Sequence, residues 1–160
     1  TGTVDTTVED GRGFLLARDG AQMTIDGSEL RYLGFDSSEY AVRRFGAQRN
    51  LHLARFSDFA HLRPCPPVDL LVCSDVLHYL SAREIDQGLP GLAELCAGVA
   101  FLECFTREDE TEGDDEGFFR RPAAFYRRRF EAAGFRQAGS HCWLSPALAG
   151  HAAALETAGP

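Results

Sequence analysis

The run Val68-Asp69-Leu70-Leu71-Val72-Cys73 constrains the fold more than any other stretch of this chain. A half-exposed strand alternates apolar and polar residues. A near-continuous apolar run fits a strand buried on both faces of a parallel sheet. Such a strand needs helices on both faces and neighbours running the same way, and the chain supplies both from residue 29 onward. Leu30 to Phe35 is a short apolar run, and Asp36-Ser37-Ser38-Glu39 opens a helix through about Gln48. Leu51 to Phe56 is the next strand candidate, followed by a loop holding Pro64, Pro66 and Pro67. Ser81-Ala82-Arg83-Glu84 has the form of a capping box. It starts a helix with Ile85, Leu89, Leu92 and Leu95 at helical spacing, which Pro90 is expected to break or kink. Val99 to Phe105 reads as a strand, Pro122 leads a helix that Gly134 ends, and Phe135 to Leu144 reads as a last strand. The Ala-rich tail from Pro146 has the composition of a short helix. Strands separated by helical patterns predict an α/β fold with a mostly parallel sheet.

The first 28 residues follow another pattern. Asp10-Gly11, Asp19-Gly20 and Asp26-Gly27 are hairpin signals, with Phe14 to Ala17 and Met23 to Ile25 as short strands between them. Read locally, the segment is a β-meander; the alternative makes Phe14 to Arg18 a short helix. The whole chain, residues 1–160, is the size of one domain and can bury roughly 70% of its unfolded surface. No charged stretch leads into an apolar run and no apolar run is long enough to span a bilayer, so neither a signal sequence nor a membrane segment is expected. A chain beginning at Thr1 suggests processing or excision.

Charge is unevenly placed. Seven of the 24 acids (Glu108, Asp109, Glu110, Glu112, Asp114, Asp115 and Glu116) sit within nine residues, and without them 17 acids face 16 bases. Residues 107–117 therefore read as a solvated acidic loop on a nearly neutral body. Net charge is −8, which argues against a nucleic-acid partner. Arg120-Arg121 and Arg127-Arg128-Arg129 are too local to define a phosphate-binding surface, and pairing with the acidic loop accounts for them equally well. All 16 basic residues are Arg. Without Lys there is no Schiff-base chemistry and no Walker-type phosphate loop. Five cysteines without a Cys-x-x-Cys pair predict reduced thiols and a cytoplasmic chain, with Cys73, Cys96 and Cys104 in the core. The five histidines show no metal-ligand spacing, so no metal site is expected.

Ligands of open α/β sheets bind outside the carboxyl ends of the strands. Those ends present Asp36 and Ser37, then Ser57, Asp58 and Phe59, then Ser74 and Asp75. An acid ending the second strand suits a ribose, because one carboxylate accepts from both vicinal hydroxyls. An acid followed by an aromatic suits a purine, pairing a hydrogen-bond acceptor with a stacking face. The plainer readings are that Asp36 belongs to a helix cap, that Asp58 caps a turn and that His78 is a satisfied core histidine. Ser74 lacks the setting of a nucleophile elbow. After Gly11-Arg12-Gly13 the dinucleotide pattern fails at Leu16.

Taken together, residues 29–145 resemble a class I S-adenosylmethionine-dependent methyltransferase. Leu30 to Ser38 is similar to the family's second strand, whose terminal acid holds the cofactor ribose; Phe56-Ser57-Asp58-Phe59 is similar to the adenine-binding segment. Val68 to Leu80 is the most specific match, similar to the fourth strand and the turn that faces the methionine part and the substrate. Gly98 to Glu103 and Phe125 to Phe135 fit the fifth strand and last helix. The resemblance implies a Rossmann-like three-layer sandwich with helices on both faces. It implies S-adenosylmethionine as cofactor, held by Asp36, Ser37, Ser57, Asp58, Phe59, Ser74 and Asp75, with His78 as the candidate base. The family's glycine-rich first turn, Asp-x-Gly-x-Gly-x-Gly, finds its best match at Asp5 to Gly11, where Asp5 and Gly11 are kept and Thr7 and Glu9 replace two glycines. Two functions follow: methyl transfer to a small-molecule acceptor, or a binding or structural module of that fold without catalysis.

Overall fold

The computed structural model describes residues 13–17, 31–110 and 117–157. Seven strands form one sheet: β1 (Gly13–Ala17), β2 (Arg31–Asp36), β3 (Leu51–Leu53), β4 (Val68–Cys73), β5 (Cys96–Leu102), β6 (Arg136–Gln137) and β7 (Cys142–Leu144). Their order is β3-β2-β1-β4-β5-β7-β6. The first five run parallel, while β7 is antiparallel to both its neighbours. The helices are α1 (Glu39–Arg49), α2 (Ala82–Leu95), α3 (Ala123–Ala132) and α4 (Pro146–Thr157). The sheet grows outward from its middle in both directions, so right-handed crossovers put helices on both faces. The expected α/β sandwich with a mostly parallel sheet is the observed one. No described helix is long and apolar enough to cross a membrane.

Three local expectations are corrected. Phe14 to Ala17 is a strand, but neither a hairpin arm nor a helix: β1 is central and parallel, with Phe14 opposite Tyr32 on one side and Leu70 on the other. Both edges of β1 are taken by distant strands, which no Asp-Gly dipeptide announces. The other residues of the proposed meander lie outside those described. Phe135 to Leu144 is not one strand but a hairpin of β6 and β7, reversing through His141 at φ 56°. Finally, α2 does not stop at Pro90. Pro90 is exposed. It has no N–H to give to the Asp86 carbonyl one turn back, and on this solvent side water can replace that bond.

Local chemistry sets the ends of the helices that frame the sheet. Ser38 Oγ accepts from Ala41 N at 3.2 Å and starts α1, which ends at Asn50 in the left-handed region (φ 43°). The Asn50 side chain then donates to the Tyr32 carbonyl at 2.7 Å, tying that end to β2. The capping box at the start of α2 is complete, with Ser81 Oγ accepting from Glu84 N at 3.2 Å and Glu84 Oε2 from Ser81 N at 2.8 Å. Ile85, Leu89, Leu92 and Leu95 are all buried in the core. Each such side chain contributes about 1.5–3 kcal/mol on burial. Arg129 joins α3 to Asp86 of α2 (2.8 Å) with its guanidinium 3.6 Å over the Phe125 ring.

The backbone of α2 lies close against the short 3-10 turn Phe56–Ala60. A Cβ on Gly88 would stand 2.1 Å from the Phe56 carbonyl oxygen, and one on Gly91 1.7 Å from that of Phe59. Gly91→Ala should therefore cost about 1–3 kcal/mol, the scale of overpacking a closed contact, in urea unfolding. Gln87→Ala, on the exposed side of the same helix, should stay within about 0.5 kcal/mol of the parent.

Candidate functional site

The strand order reverses between β1 and β4, and beside that point, outside the carboxyl ends of β2 and β4, lies a cavity of about 700 Å³. Its position is the one open α/β sheets use for ligands, and its volume is that of a small-molecule site. Phe35 and Asp36 at the end of β2 form one wall, and Cys73 and Asp75 at the end of β4 form another. Phe59 reaches the same space from the 3-10 turn and packs edge-on against Phe35, with ring centroids 5.2 Å apart.

The sequence-derived residues divide here. Asp36, Ser37, Phe59 and Asp75 all line the cavity. Asp36 Oδ1 accepts from Ser38 N at 2.7 Å, while the helix cap itself is Ser38, so only one Asp36 oxygen is used locally. Asp58 is exposed and off the cavity wall; its Oδ2 accepts from Arg55 N at 2.8 Å, as a turn cap does. Ser57 is also off the wall. Ser74 is buried and gives its hydroxyl proton to the Glu103 carboxylate, pointing toward β5 and away from the cavity. Asp5 and Gly11 lie outside the described residues. The first described strand, β1, begins at Gly13. The residues that do follow it, 18–30, contain Gly20 and Gly27 but no Gly-x-Gly.

His78 sits behind the cavity wall and not on it. Its ring is fully buried, with centroids of Tyr79, Phe105 and Phe118 at 4.4, 5.2 and 4.8 Å. Nδ1 accepts from Phe105 N at 3.3 Å, and Nε2 stands 3.1 Å from Asp75 Oδ1. Burial holds the imidazole below its ordinary pKa, with Asp75 and Glu103 opposing that shift.

Sequence reasoning missed Tyr40, Arg55 and Tyr79, which also line the cavity. Tyr40 was findable, since it lies in the first turn of the helix that follows Asp36. Among the described lining residues, the carboxylates of Asp36, Asp75 and Glu84 outnumber the one guanidinium, Arg55. Hydrogen bonds from Ser81 hold Glu84 below the usual carboxylate range. All five cysteines are free thiols, and burial pushes Cys96 up to about 11 and Cys104 to about 12, so neither is a thiolate nucleophile at neutral pH.

No family model and no curated protein matches the sequence. Solved structures do. A SAM-dependent methyltransferase from Archaeoglobus fulgidus is similar over 79% of this chain and 62% of its own, with TM-score 0.54 and 11% identity. The methyltransferase CalO6 is similar over 83% and 56%, with TM-score 0.51 and 17% identity. The cyclase SpnF is similar over 86% and 56%, with TM-score 0.54 and 17% identity. The fold is that of the class I S-adenosylmethionine-dependent methyltransferases. The chain spans between 56% and 62% of the length of these three structures. Because one neighbour with this methyltransferase fold is a cyclase, the reaction must be read from the cavity.

The buried histidine gives the fold a pH dependence of defined sign. Its folded pKa lies below the 6.5 of an ordinary histidine, so below that pH the unfolded chain binds the extra proton. Stability is then complete above about pH 6.5 and falls as pH drops toward the folded value. The urea midpoint should be lower at about pH 5 than at about pH 8, and His78→Gln should flatten that slope. An equal slope in parent and variant would assign it to other groups.

Proposed function

We propose that this chain binds S-adenosylmethionine in the cavity beside β2 and β4 and transfers its methyl group to a small-molecule acceptor. The observation that carries the reading is the pairing of Asp36 with Phe59 on one wall: a strand-end carboxylate for a ribose diol and an aromatic ring for a purine. Asp36 Oδ1 takes the Ser38 N–H, which leaves Oδ2 for a ligand hydroxyl. The excess of carboxylates on the described wall suits a cationic ligand. When bound, the cofactor supplies a methyl group already activated on a sulfonium, so the protein's contribution is placement and exclusion of water. The net charge of −8 favours a metabolite over a nucleic acid as acceptor.

One observation favours the second reading, a methyltransferase-like module without catalysis. Only thirteen residues connect β1 to β2, and they lack the paired glycines that let backbone approach a cofactor closely.

Calorimetric titration with S-adenosylmethionine and S-adenosylhomocysteine separates the two. Micromolar binding of both is expected, and Asp36→Ala should weaken it about 10- to 100-fold, the cost of one hydrogen bond to a charged group. No heat and no thermal stabilisation at millimolar ligand would establish the module without cofactor.

A further inference from the structure

The neighbourhood of His78 contains more than the buried ring. Phe105 N–H points at Nδ1, so that nitrogen carries a lone pair, and a neutral ring then has its proton on Nε2. The imidazole thus has no free lone pair with which to accept a proton from a bound molecule, and being fully buried it touches none. Among the described residues, Asp75 Oδ1 stands 3.1 Å from Nε2, within hydrogen-bonding reach though off the ideal line. Asp75 differs on every count. It lines the cavity, its side chain is 51% exposed, and its backbone is left-handed at φ 60°, uncommon for a residue other than glycine. Such outliers concentrate where a side chain must be aimed. Among the described residues, the titratable and charged groups facing His78 are Asp75 and Tyr79 from its own turn and Glu103 from the segment after β5, the last engaged by Ser74. Phe119 N donates to the His78 carbonyl at 2.8 Å, fixing the turn from the far flank of the acidic loop.

We propose that Asp75, and not His78, is the residue through which this turn touches what binds in the cavity, and that His78 is its positioning residue, a neutral Nε2–H imidazole that holds Asp75 Oδ1 while Oδ2 serves the ligand. The ligand in question is the cofactor of the reading above, and the proposal rests on that reading for the ligand's identity. The tautomer and the His78–Asp75 coupling stand without it.

Solution NMR of the chain labelled with nitrogen-15 histidine tests each part. His78 should show the Nε2–H tautomer and stay neutral at pH 6.5, where an ordinary histidine is half protonated. Asp75→Asn, nearly isosteric, should keep the tautomer and move the Nε2–H proton and nitrogen signals upfield as the charged acceptor is lost. S-adenosylhomocysteine should shift the same signals in the parent chain and leave them in place in Asp75→Asn. In calorimetry, His78→Phe should weaken S-adenosylhomocysteine about tenfold, and His78→Gln, which keeps an N–H donor, should recover most of that loss. An Nδ1–H tautomer, or a His78 titrating near 6.5, would return the acid–base role to the imidazole. Signals indifferent to Asp75→Asn would dissolve the pair. Ligand that binds by calorimetry without moving His78 would remove Asp75 from the ligand. A chain that binds no S-adenosylhomocysteine refutes the cofactor reading and with it the ligand half of this proposal, while the tautomer and Asp75→Asn spectra still decide the pair.

Discussion

Where α2 crosses the 3-10 turn, the two backbones come together with only glycine hydrogens between them, and much of the cavity depends on that contact. Gly88 and Gly91 lie one turn apart on the buried side of α2, each against a carbonyl of the Phe56–Ala60 turn. Glycine costs a helix about 1 kcal/mol relative to alanine, so two within one turn are disfavoured unless packing requires them. Here packing does. Drawn in against α2, the turn buries Phe56 and Phe59 and sets the Phe59 ring beside Phe35 at the end of β2. One wall of the cavity is therefore fixed by a helix whose sequence lies some thirty residues further along the chain.

The opposite wall is held by a different device. The turn after β4 must leave the sheet and return to α2 within a few residues, and it does so around a buried imidazole. His78 replaces what a purely apolar plug would do, but with direction: its two nitrogens and its carbonyl meet Phe105, Asp75 and Phe119, three separate points of the chain. Three aromatic rings exclude water from the imidazole itself, which strengthens the polar contact it makes with Phe105 N in low dielectric. The same exclusion makes protonation of the ring unfavourable.

Whatever was encoded by short-range pattern was legible in the sequence. The apolar run of β4, the capping box at Ser81 and Glu84, and the acid at the end of β2 are all local, and the structure uses each where the pattern places it. Features that depend on distant partners were not legible. β1 pairs with strands that begin eighteen or more residues after it starts, while the Asp-Gly pairs around it speak only for their neighbours. The reversal inside Phe135 to Leu144 was marked by Gly139 and Ser140, a weak signal against the surrounding strand-like residues. Ser74, Asp58 and His78 lie at the expected positions in the chain, but side-chain direction decides what they touch. Ser74 turns to Glu103, Asp58 to Arg55 and His78 to Asp75.

The fold narrows the chemistry without selecting it, since a cyclase and methyltransferases share this arrangement of strands. The choice rests on what the cavity offers a ligand. Its described wall has an aromatic floor and more carboxylate than guanidinium, and all five thiols of the chain are unmodified, with Cys73 at the wall pushed well above the usual thiol range by burial. A wall with more carboxylate than guanidinium suits a cationic ligand. Under the proposed function the driving force arrives with that ligand already activated, and the protein need only fix the distance and angle between two reactants. That requirement fits carboxylates held at or just past strand ends, where Asp36 closes β2 and Asp75 lies two residues beyond β4.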